Sequence, residues 1–258
     1  MLDIPVAPAR VLFESIRHRR SQVTVTVTLY NYREVVTEAL KTVLAQDLQD
    51  LDLVIVDDYS NDGGEERVLD WLHAHKERFG RSLLLRHTER QGLAAARNQG
   101  FASAATPYVF VLDADNQLYP RCVTVCLTTA QANSADAVYT ILEVFGESEG
   151  VLGTDLWDPT ALQTGNYIDA MALISRGAWK QVGGYRRMPA KGWEDYDLWL
   201  KFAEAGLDAL RVPEILCRYR KREASMLRSV TNQPETMKAL QEDMRLHHPA
   251  VQLRLGPS

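Results

Sequence analysis

Apolar residues recur along the first half of the chain in two periods, one typical of strands and one typical of helices. Short apolar runs that suit buried β-strands occur in four segments: 23–29, 51–58, 82–87 and 108–116. Helically spaced apolar residues occupy the segments between them: 34–46, 60–79 and 92–104. Because parallel neighbours need a crossover connection, this alternation predicts parallel βαβ units. We therefore predict an α/β fold with a mainly parallel sheet flanked by helices.

The second half of the chain is less regular. We predict a strand at 136–147, a loop-rich segment at 151–169 and a short helix that ends at glycines at 175–185. An amphipathic helix at 192–206, two short strands with a basic tail at 208–226 and a terminal helix at 234–248 follow. We expect one domain over residues 21–230, preceded by a leader or linker at 1–20 and followed by a C-terminal helical tail at 231–258.

Composition narrows the function classes only slightly. The chain has 258 residues and a formal net charge of −5, which argues against a nucleic-acid binder because such proteins usually carry a basic surface. No apolar run approaches the roughly 18 residues that a membrane span requires. The cysteines match no metal-cluster spacing and are typical of a reducing compartment: Cys122, Cys126 and Cys217.

The N-terminal segment 10–20 combines apolar and basic residues in the manner of a short amphipathic helix. Such a helix can bind a membrane surface peripherally. We therefore expect a cytoplasmic protein, with the inner face of the membrane as an alternative location.

Polar side chains follow three predicted strands at the point where each strand ends, in TLYNY (28–32), VDDYSNDG (56–63) and LDADN (112–116). Because ligands of parallel sheets bind beyond the carboxyl ends of the strands, we expect these groups to converge on one crevice. Asp113 and Asp115 could share a divalent cation such as Mg²⁺ or Mn²⁺, or bind a ribose. A capped turn is the alternative.

Two other polar residues suit the same crevice. Asp58 could accept hydrogen bonds from a nucleobase or ribose, with turn formation as an equal alternative. Arg97 stands among small residues in GLAAARNQG (92–100), where a cation could meet a diphosphate or the acids of the strand ends. An ordinary surface arginine is the alternative.

The segment GWEDYDLWLKFAEAG (192–206) raises a different question. Its helical spacing predicts that one face is core: Tyr196, Trp199, Leu200 and Ala203. Glu194 and Asp195 fall in the first turn, where the helix dipole favours negative charge without any chemistry. Since no histidine lies between the acidic strand ends and the terminal helix, a carboxylate beside Trp193 is the candidate for a general base. Glu204 is expected to be a solvated surface acid.

Together these motifs resemble those of family 2 inverting glycosyltransferases, which have the Rossmann-like GT-A fold. The resemblance extends from about Val23 to Met226 and follows the family's order: a nucleotide-binding half at 25–63, then 92–100 and 108–116, an acceptor-side motif at 183–206 and a closing motif at 217–226. It implies a nucleotide-sugar half at 21–116 and a smaller acceptor half at 117–230.

The resemblance also implies a role for individual residues. The expected donor-binding residues are Thr28, Tyr30, Asp58, Arg97, Asp113, Ala114, Asp115 and Arg220. Thr28, Tyr30 and Asp58 match positions at the nucleobase, and Asp115, with Asp113, matches the ligands of Mn²⁺ or Mg²⁺. Asp195 matches the catalytic base, and Trp193 and Glu194 match acceptor-side positions.

The implied reaction is a direct displacement by a metal-dependent hexosyltransferase. Asp195 takes the proton of an acceptor hydroxyl, that oxygen attacks the anomeric carbon, and the diphosphate leaves from the opposite face with inversion. The implied donor is a nucleotide sugar, with UDP as the first choice of carrier. The acceptor is a saccharide, a lipid-linked molecule or a protein, in polysaccharide or glycoconjugate synthesis.

Two positions depart from the family's pattern. Arg222 stands where many relatives have a metal-binding histidine, and arginine stays protonated and cannot bind a metal. Arg90 replaces a frequent asparagine. These departures leave a catalytically degenerate GT-A domain, which binds nucleotide sugars or acts as a scaffold, as the alternative function. A sugar nucleotidyltransferase is disfavoured, because no glycine-rich phosphate loop follows the first strand.

Overall fold

The computed structural model describes residues 4, 6–17, 20–222 and 233–255. Within these ranges, one sheet contains ten strands: β1 (Ala9–Ile16), β2 (Val23–Leu29), β3 (Leu51–Asp57), β4 (Arg81–His87), β5 (Tyr108–Asp113), β6 (Gln117–Leu118), β7 (Ala137–Gly146), β8 (Gly150–Leu152), β9 (Ala172–Ser175) and β10 (Ala209–Lys221). The α-helices are α1 (Val36–Leu44), α2 (Gly64–His75), α3 (Leu93–Ser103), α4 (Cys122–Asn133), α5 (Arg176–Gln181), α6 (Glu194–Glu204) and α7 (Pro234–His247).

The sheet has the predicted parallel centre. β4, β3, β2 and β5 are parallel neighbours in that order, and helices connect them along the chain. Beyond β5 the order continues β9-β7-β10-β6, in which only β7 and β10 pair in parallel. The α/β class with a mainly parallel sheet is therefore confirmed.

The prediction of a helix near the N-terminus is wrong. Residues Ala9–Ile16 form a strand that pairs antiparallel with β4 and buries Phe13 against the core. This strand satisfies the backbone groups along the otherwise open edge of β4, which local periodicity cannot reveal. The sheet thus begins before residue 21, inside the segment expected to be a leader or linker.

The prediction of two short strands over 208–226 is also wrong in part. A single strand, β10, runs from Ala209 to Lys221, and its register against β7 shifts twice around Ile215. Such irregularities accommodate Pro213, which cannot donate to a regular ladder. Residues 223–226 of the closing motif lie outside the described residues. The signals for α4 and β9 were too weak to predict either element.

The terminal helix α7 lies against α6 through a buried polar network. His248 contacts Asp197 at 3.2 Å and Glu204 at 3.0 Å, and Arg186 bridges Asp197 and Asp243. Burial alone would lower the pKa of His248, but these carboxylates outweigh burial and raise that pKa. Glu204 is exposed, as predicted, and its carboxylate also contacts His248 at the end of α7.

Helix α3 packs unusually close to β2 because Gly100 faces Thr26. A Cβ placed on Gly100 would lie 2.0 Å from Oγ1 of Thr26 and 2.9 Å from its Cβ. These positions leave no room for a methyl group unless helix and strand separate. Among the described residues, no helix combines the length and apolar character needed to cross a membrane.

We predict that Gly100→Ala destabilises the protein by about 1–3 kcal/mol, since the extra methyl group overpacks this contact. Urea denaturation measures the difference. Gly177→Ala in α5 is the matched control, because its Cβ would meet Oγ of Ser175 at an ordinary 3.4 Å and alanine favours helix. Equal unfolding midpoints for the two variants would contradict the close-packing argument.

Candidate active site

The polar ends of β2, β3 and β5 meet at one edge of the sheet, as the sequence predicts. Leu29 lies opposite Asp57, and Thr28 lies opposite Asp113. Oγ1 of Thr28 donates to Oδ1 of Asp113 at 3.0 Å. The strand ends therefore form one continuous polar surface.

Asp58 organises the loop that leads into α3. Its carboxylate accepts the backbone N–H groups of Gln91 at 2.7 Å and Gly92 at 2.8 Å. It also contacts Nδ1 of His87 at 2.8 Å, and a carboxylate only accepts, so that nitrogen carries the proton. Asp58 is buried, and its protein contacts leave fewer lone pairs for a nucleobase than the sequence suggested.

Tyr30 is covered by Arg90, one of the two residues that depart from the family pattern. The guanidinium of Arg90 lies 4.1 Å from the centre of the Tyr30 ring. This is within the range of a cation–π contact. Arg90 therefore forms part of the wall beside Tyr30.

Arg97 is not a surface arginine. Its side chain is only 2% exposed and reaches two acids that are far apart in sequence. Nη2 donates to both oxygens of Asp113 at 3.1 Å, and Nη1 donates to Oε1 of Glu194 at 2.8 Å. The Tyr185 ring covers the same guanidinium at 5.5 Å. Arg97 thus joins the acidic end of β5 to the start of α6.

Helix α6 begins with a strained turn at the crevice. Trp193 has φ 66°, a left-handed conformation that is rare for a bulky residue, and Gly192 before it has φ 109°. Asn31 and Tyr59, which follow β2 and β3, also have positive φ. Strained residues persist where the surroundings over-determine them, commonly at functional sites.

Asp195 is fixed at both carboxylate oxygens yet remains partly exposed. Oδ1 accepts the backbone N–H of Tyr196 at 2.8 Å, and Oδ2 accepts Nδ2 of Asn166 at 3.0 Å. Burial and the carboxylate of Glu194 raise the pKa of Asp195 to about 7, although Arg97 opposes the rise. A carboxylate with such a pKa is a competent general base near neutral pH.

Asp115 is the carboxylate of the strand-end pair that suits a cation. Burial and the carboxylate of Asp113 raise the pKa of Asp115 to about 6. This raised pKa indicates that the neighbouring arginines do not fully compensate the negative charge of the two acids. The oxygens of Asp113 are already engaged by Arg97 and Thr28. Among the described residues, no three acids, histidines or cysteines are grouped as a metal site. Asp115 could therefore supply one ligand to a divalent cation, with the remainder coming from a bound diphosphate.

Two arginines of β10 and its end flank Asp115. Nε of Arg222 lies 3.8 Å from Oδ2 of Asp115, and Nε of Arg220 donates to the Asp115 carbonyl at 2.9 Å. Ala114 is fully buried between the two acids. The end of β10 thus brings two guanidinium groups to Asp115, of which that of Arg220 is also paired with Glu38.

Glu194 and Trp193 differ in their availability to an acceptor. Glu194 is 6% exposed and is engaged by Arg97. Trp193 is half-buried and packs edge-on against Tyr196. Of this predicted acceptor pair, Trp193 is therefore the more accessible.

Two residues at the crevice were missed by the sequence analysis. Burial and Asp113 raise the pKa of Asp169 to about 6, and Asn166 donates to Asp195. Both lie in the segment predicted only as loop-rich, where no periodicity marks a position. The polar run in GNYID was the available signal, but similar runs occur in ordinary turns.

Comparison with known proteins gives a consistent result. The family model described as Glycosyl transferase family 2 matches residues 24–185. The putative glycosyltransferase EpsE of Bacillus subtilis is 27% identical over 207 residues, which are 78% of this chain and 73% of that protein.

Solved structures show the same fold. Staphylococcus aureus TarS (residues 1–349), in complex with UDP-GlcNAc, superposes with a TM-score of 0.72 at 15% identity, over 90% of this chain and 70% of that one. The mannosyltransferase PcManGT of Pyrobaculum calidifontis, in complex with GDP-Man and Mn²⁺, gives 0.65 at 21% identity, over 91% and 72%. At these identities the likeness establishes the GT-A fold alone.

We predict that Arg97→Met destabilises the protein by about 3–5 kcal/mol, because it leaves the carboxylates of Asp113 and Glu194 without their buried cation. Urea denaturation at pH 7.5 measures the loss. The triple variant Arg97→Met, Asp113→Asn, Glu194→Gln removes the charges together and should recover part of it. A triple variant no more stable than Arg97→Met would contradict the electrostatic explanation.

Proposed function

The chain belongs to glycosyl transferase family 2, and we propose that it transfers a sugar from a nucleoside-diphosphate donor to an acceptor hydroxyl with inversion. The observation that carries this proposal is the position of Asp195. A partly exposed carboxylate with a pKa of about 7 begins α6, and Arg97 links that helix start to the acidic strand end that would bind the donor. These contacts support the proposal that a base and a donor site share one connected framework.

The donor half of the site comprises the strand ends at residues 21–116, and the acceptor half lies in 117–230. We assign the nucleobase to the surface formed by Thr28, Tyr30 and Asp58, and a UDP-sugar as donor. The complex of TarS with UDP-GlcNAc supports that choice of nucleotide. The strand Ala9–Ile16 extends the donor half beyond its predicted start.

Asp115 is the residue that would bind Mn²⁺ or Mg²⁺ together with the donor diphosphate. When bound, such a cation neutralises charge on the leaving diphosphate. Arg220 and Arg222 also lie beside Asp115. We expect these side chains to take part, together with the metal, in neutralising the charge of the diphosphate.

In the proposed reaction, Asp195 is the general base. Its carboxylate accepts the proton of the acceptor hydroxyl as that oxygen bonds to the anomeric carbon. The bond between that carbon and the diphosphate oxygen breaks on the opposite face, and its electron pair leaves with the diphosphate. A positioned base contributes about 10²- to 10⁴-fold to such a step.

The alternative of a degenerate binding domain is favoured by one contact, the approach of Arg222 to Asp115. A domain of that kind would bind a nucleotide sugar but would not transfer the sugar.

For the proposed transferase, the acceptor is a saccharide, a lipid-linked molecule or a protein, in polysaccharide or glycoconjugate synthesis.

We predict that Asp195→Asn abolishes transfer but keeps donor binding. Calorimetric titration with UDP-sugars measures binding, and release of UDP in the presence of acceptor measures transfer. Turnover close to that of the unmodified protein would exclude Asp195 as the base. Donor binding without turnover in the unmodified protein, on every acceptor offered, would favour the degenerate domain.

A stability measurement shows that the inactive variant is folded. An acid whose pKa is raised in the folded state lowers the stability of the protein as the pH rises above the pKa of that acid in the unfolded state. The loss of stability is complete above the folded-state pKa, which is about 7 for Asp195. Asp195→Asn should therefore unfold at higher urea than the unmodified protein at pH 8, with a smaller difference at pH 4.

The pH dependence of transfer is the second prediction from Asp195. The base acts only when ionised, so kcat/KM should rise with pH through a midpoint near pH 7, the pKa of this carboxylate. Initial rates from pH 5.5 to 9 at saturating divalent cation give the profile. A rate that is flat across this range would contradict a base with this raised pKa.

A further inference from the structure

A cleft of about 280 Å³ opens in the segment that precedes Asp169. It is lined by Asp155, Ala161, Thr164, Gly165, Asn166 and Tyr167. Its lining includes one carboxylate and no basic side chain. The hydroxyls of Thr164 and Tyr167 and the amide of Asn166 already form hydrogen bonds within the protein. A lining with a carboxylate and no cation disfavours an anionic ligand, so an uncharged one suits it better.

The segment around the cleft is tied to the same helix that begins with Asp195. The hydroxyl of Tyr196 donates to the carbonyl of Leu162, and Nε1 of Trp199 donates to the carbonyl of Ile168 at 3.1 Å. Both partners of α6 are buried. Asn166 lies between these two anchored carbonyls, so its position relative to Asp195 is fixed by α6 itself.

The amide of Asn166 has a defined orientation. Its Oδ1 accepts the backbone N–H of Ile168 at 3.2 Å, which leaves Nδ2 to donate to Oδ2 of Asp195 at 3.0 Å. Asn166 is exposed and fills no part of the core. Its contacts therefore orient a carboxylate and contribute little to folding.

We propose that Asn166, which lines this cleft and donates to Oδ2 of Asp195, is a positioning residue for that carboxylate, and that the cleft receives an uncharged saccharide acceptor. This inference rests on the proposed function. The acceptor's hydroxyl reaches Asp195 from the side that Asn166 borders. Asp155 in the lining and Asp195, which contacts Asn166, would repel a phosphate-bearing acceptor.

Removing the Asn166 donor changes the environment of Asp195 in a known direction. A hydrogen bond to the ionised form lowers the pKa of a carboxylate, so its loss raises the pKa of Asp195 further. The charged and titratable groups that act on Asp195 are Glu194 of its own helix, Arg97 of α3, and Asp169, Tyr185 and Tyr219. None of these is altered by a substitution at Asn166.

The test compares three substitutions in the full chain. Asn166→Ala removes the donor, Asn166→Asp is isosteric but places a carboxylate against Asp195, and Asn166→Gln retains an amide donor. We expect Asn166→Ala to lower kcat by about 10²-fold, as for a misplaced reactive group, with donor affinity unchanged. The acidic limb of the pH profile should shift upward in the order unmodified, Ala, Asp, and Asn166→Gln should recover part of the rate.

The matched control is Asn133→Ala. Asn133 is also exposed, and its Nδ2 donates only to the carbonyl of Thr129 within α4. This variant should keep the kcat and the pH profile of the unmodified protein. An unshifted acidic limb in Asn166→Ala, or a loss confined to the KM of the acceptor, would overturn the positioning role.

A readout without transfer separates this inference from the proposed function. Titration of the ¹³Cγ resonance of Asp195 should give a higher pKa in Asn166→Ala than in the unmodified protein, whether or not either protein transfers sugar. Equal values overturn the inference, whereas absence of transfer in the unmodified protein overturns the function. Transfer to polyol-phosphate acceptors in preference to neutral saccharides would overturn the acceptor class.

Discussion

A guanidinium that is removed from water loses its hydration, and closely placed anions must compensate for that loss. Arg97 has two such anions. One is Asp113 at the end of β5, and the other is Glu194 at the start of α6. The neighbouring Asn98 extends the same connection, because its amide bonds both backbone groups of Tyr185 and the indole of Trp179. Helix α3 therefore connects the end of β5 to the start of α6 and to the segment around Tyr185, while Gly100 holds the same helix close to β2.

This arrangement leaves negative charge in excess at the crevice. Arg97 compensates Asp113 and Glu194, while Asp115, Asp169 and Asp195 all have raised pKa values. Such a surplus lowers stability, and it is sustained because the surrounding fold is rigid. A cationic ligand, or a hydroxyl group that donates a proton to one of these carboxylates, would relieve it, and perturbed acids of this kind are typical of functional sites.

The sequence was sufficient where the signal is local. Periodicity predicted β2, β3, β4 and β5, and the polar residues after β2, β3 and β5 predicted a crevice. It failed where a residue is defined by a distant partner: Arg97 and Glu194 are 97 positions apart, and β1 is a strand only because β4 offers an open edge. Asn166 and Asp169 lie in a segment without periodicity, so only the folded chain shows that they face Asp195.

Helix α6 explains how Asp195, which follows the strained Trp193 and is repelled by Glu194, can stay in place. Asp197 in the first turn is fully buried and pairs with Lys201 of the same helix, while its contacts with Arg186 and His248 anchor the helix to α7. On another face, Tyr196 and Trp199 bind the backbone of the segment that carries Asn166. The helix is thus fixed on several sides, and only its first turn meets the crevice. Because the same helix orients both Asp195 and the segment that positions it, a displacement of α6 would carry the base and its hydrogen-bond donor together, so their mutual geometry is preserved.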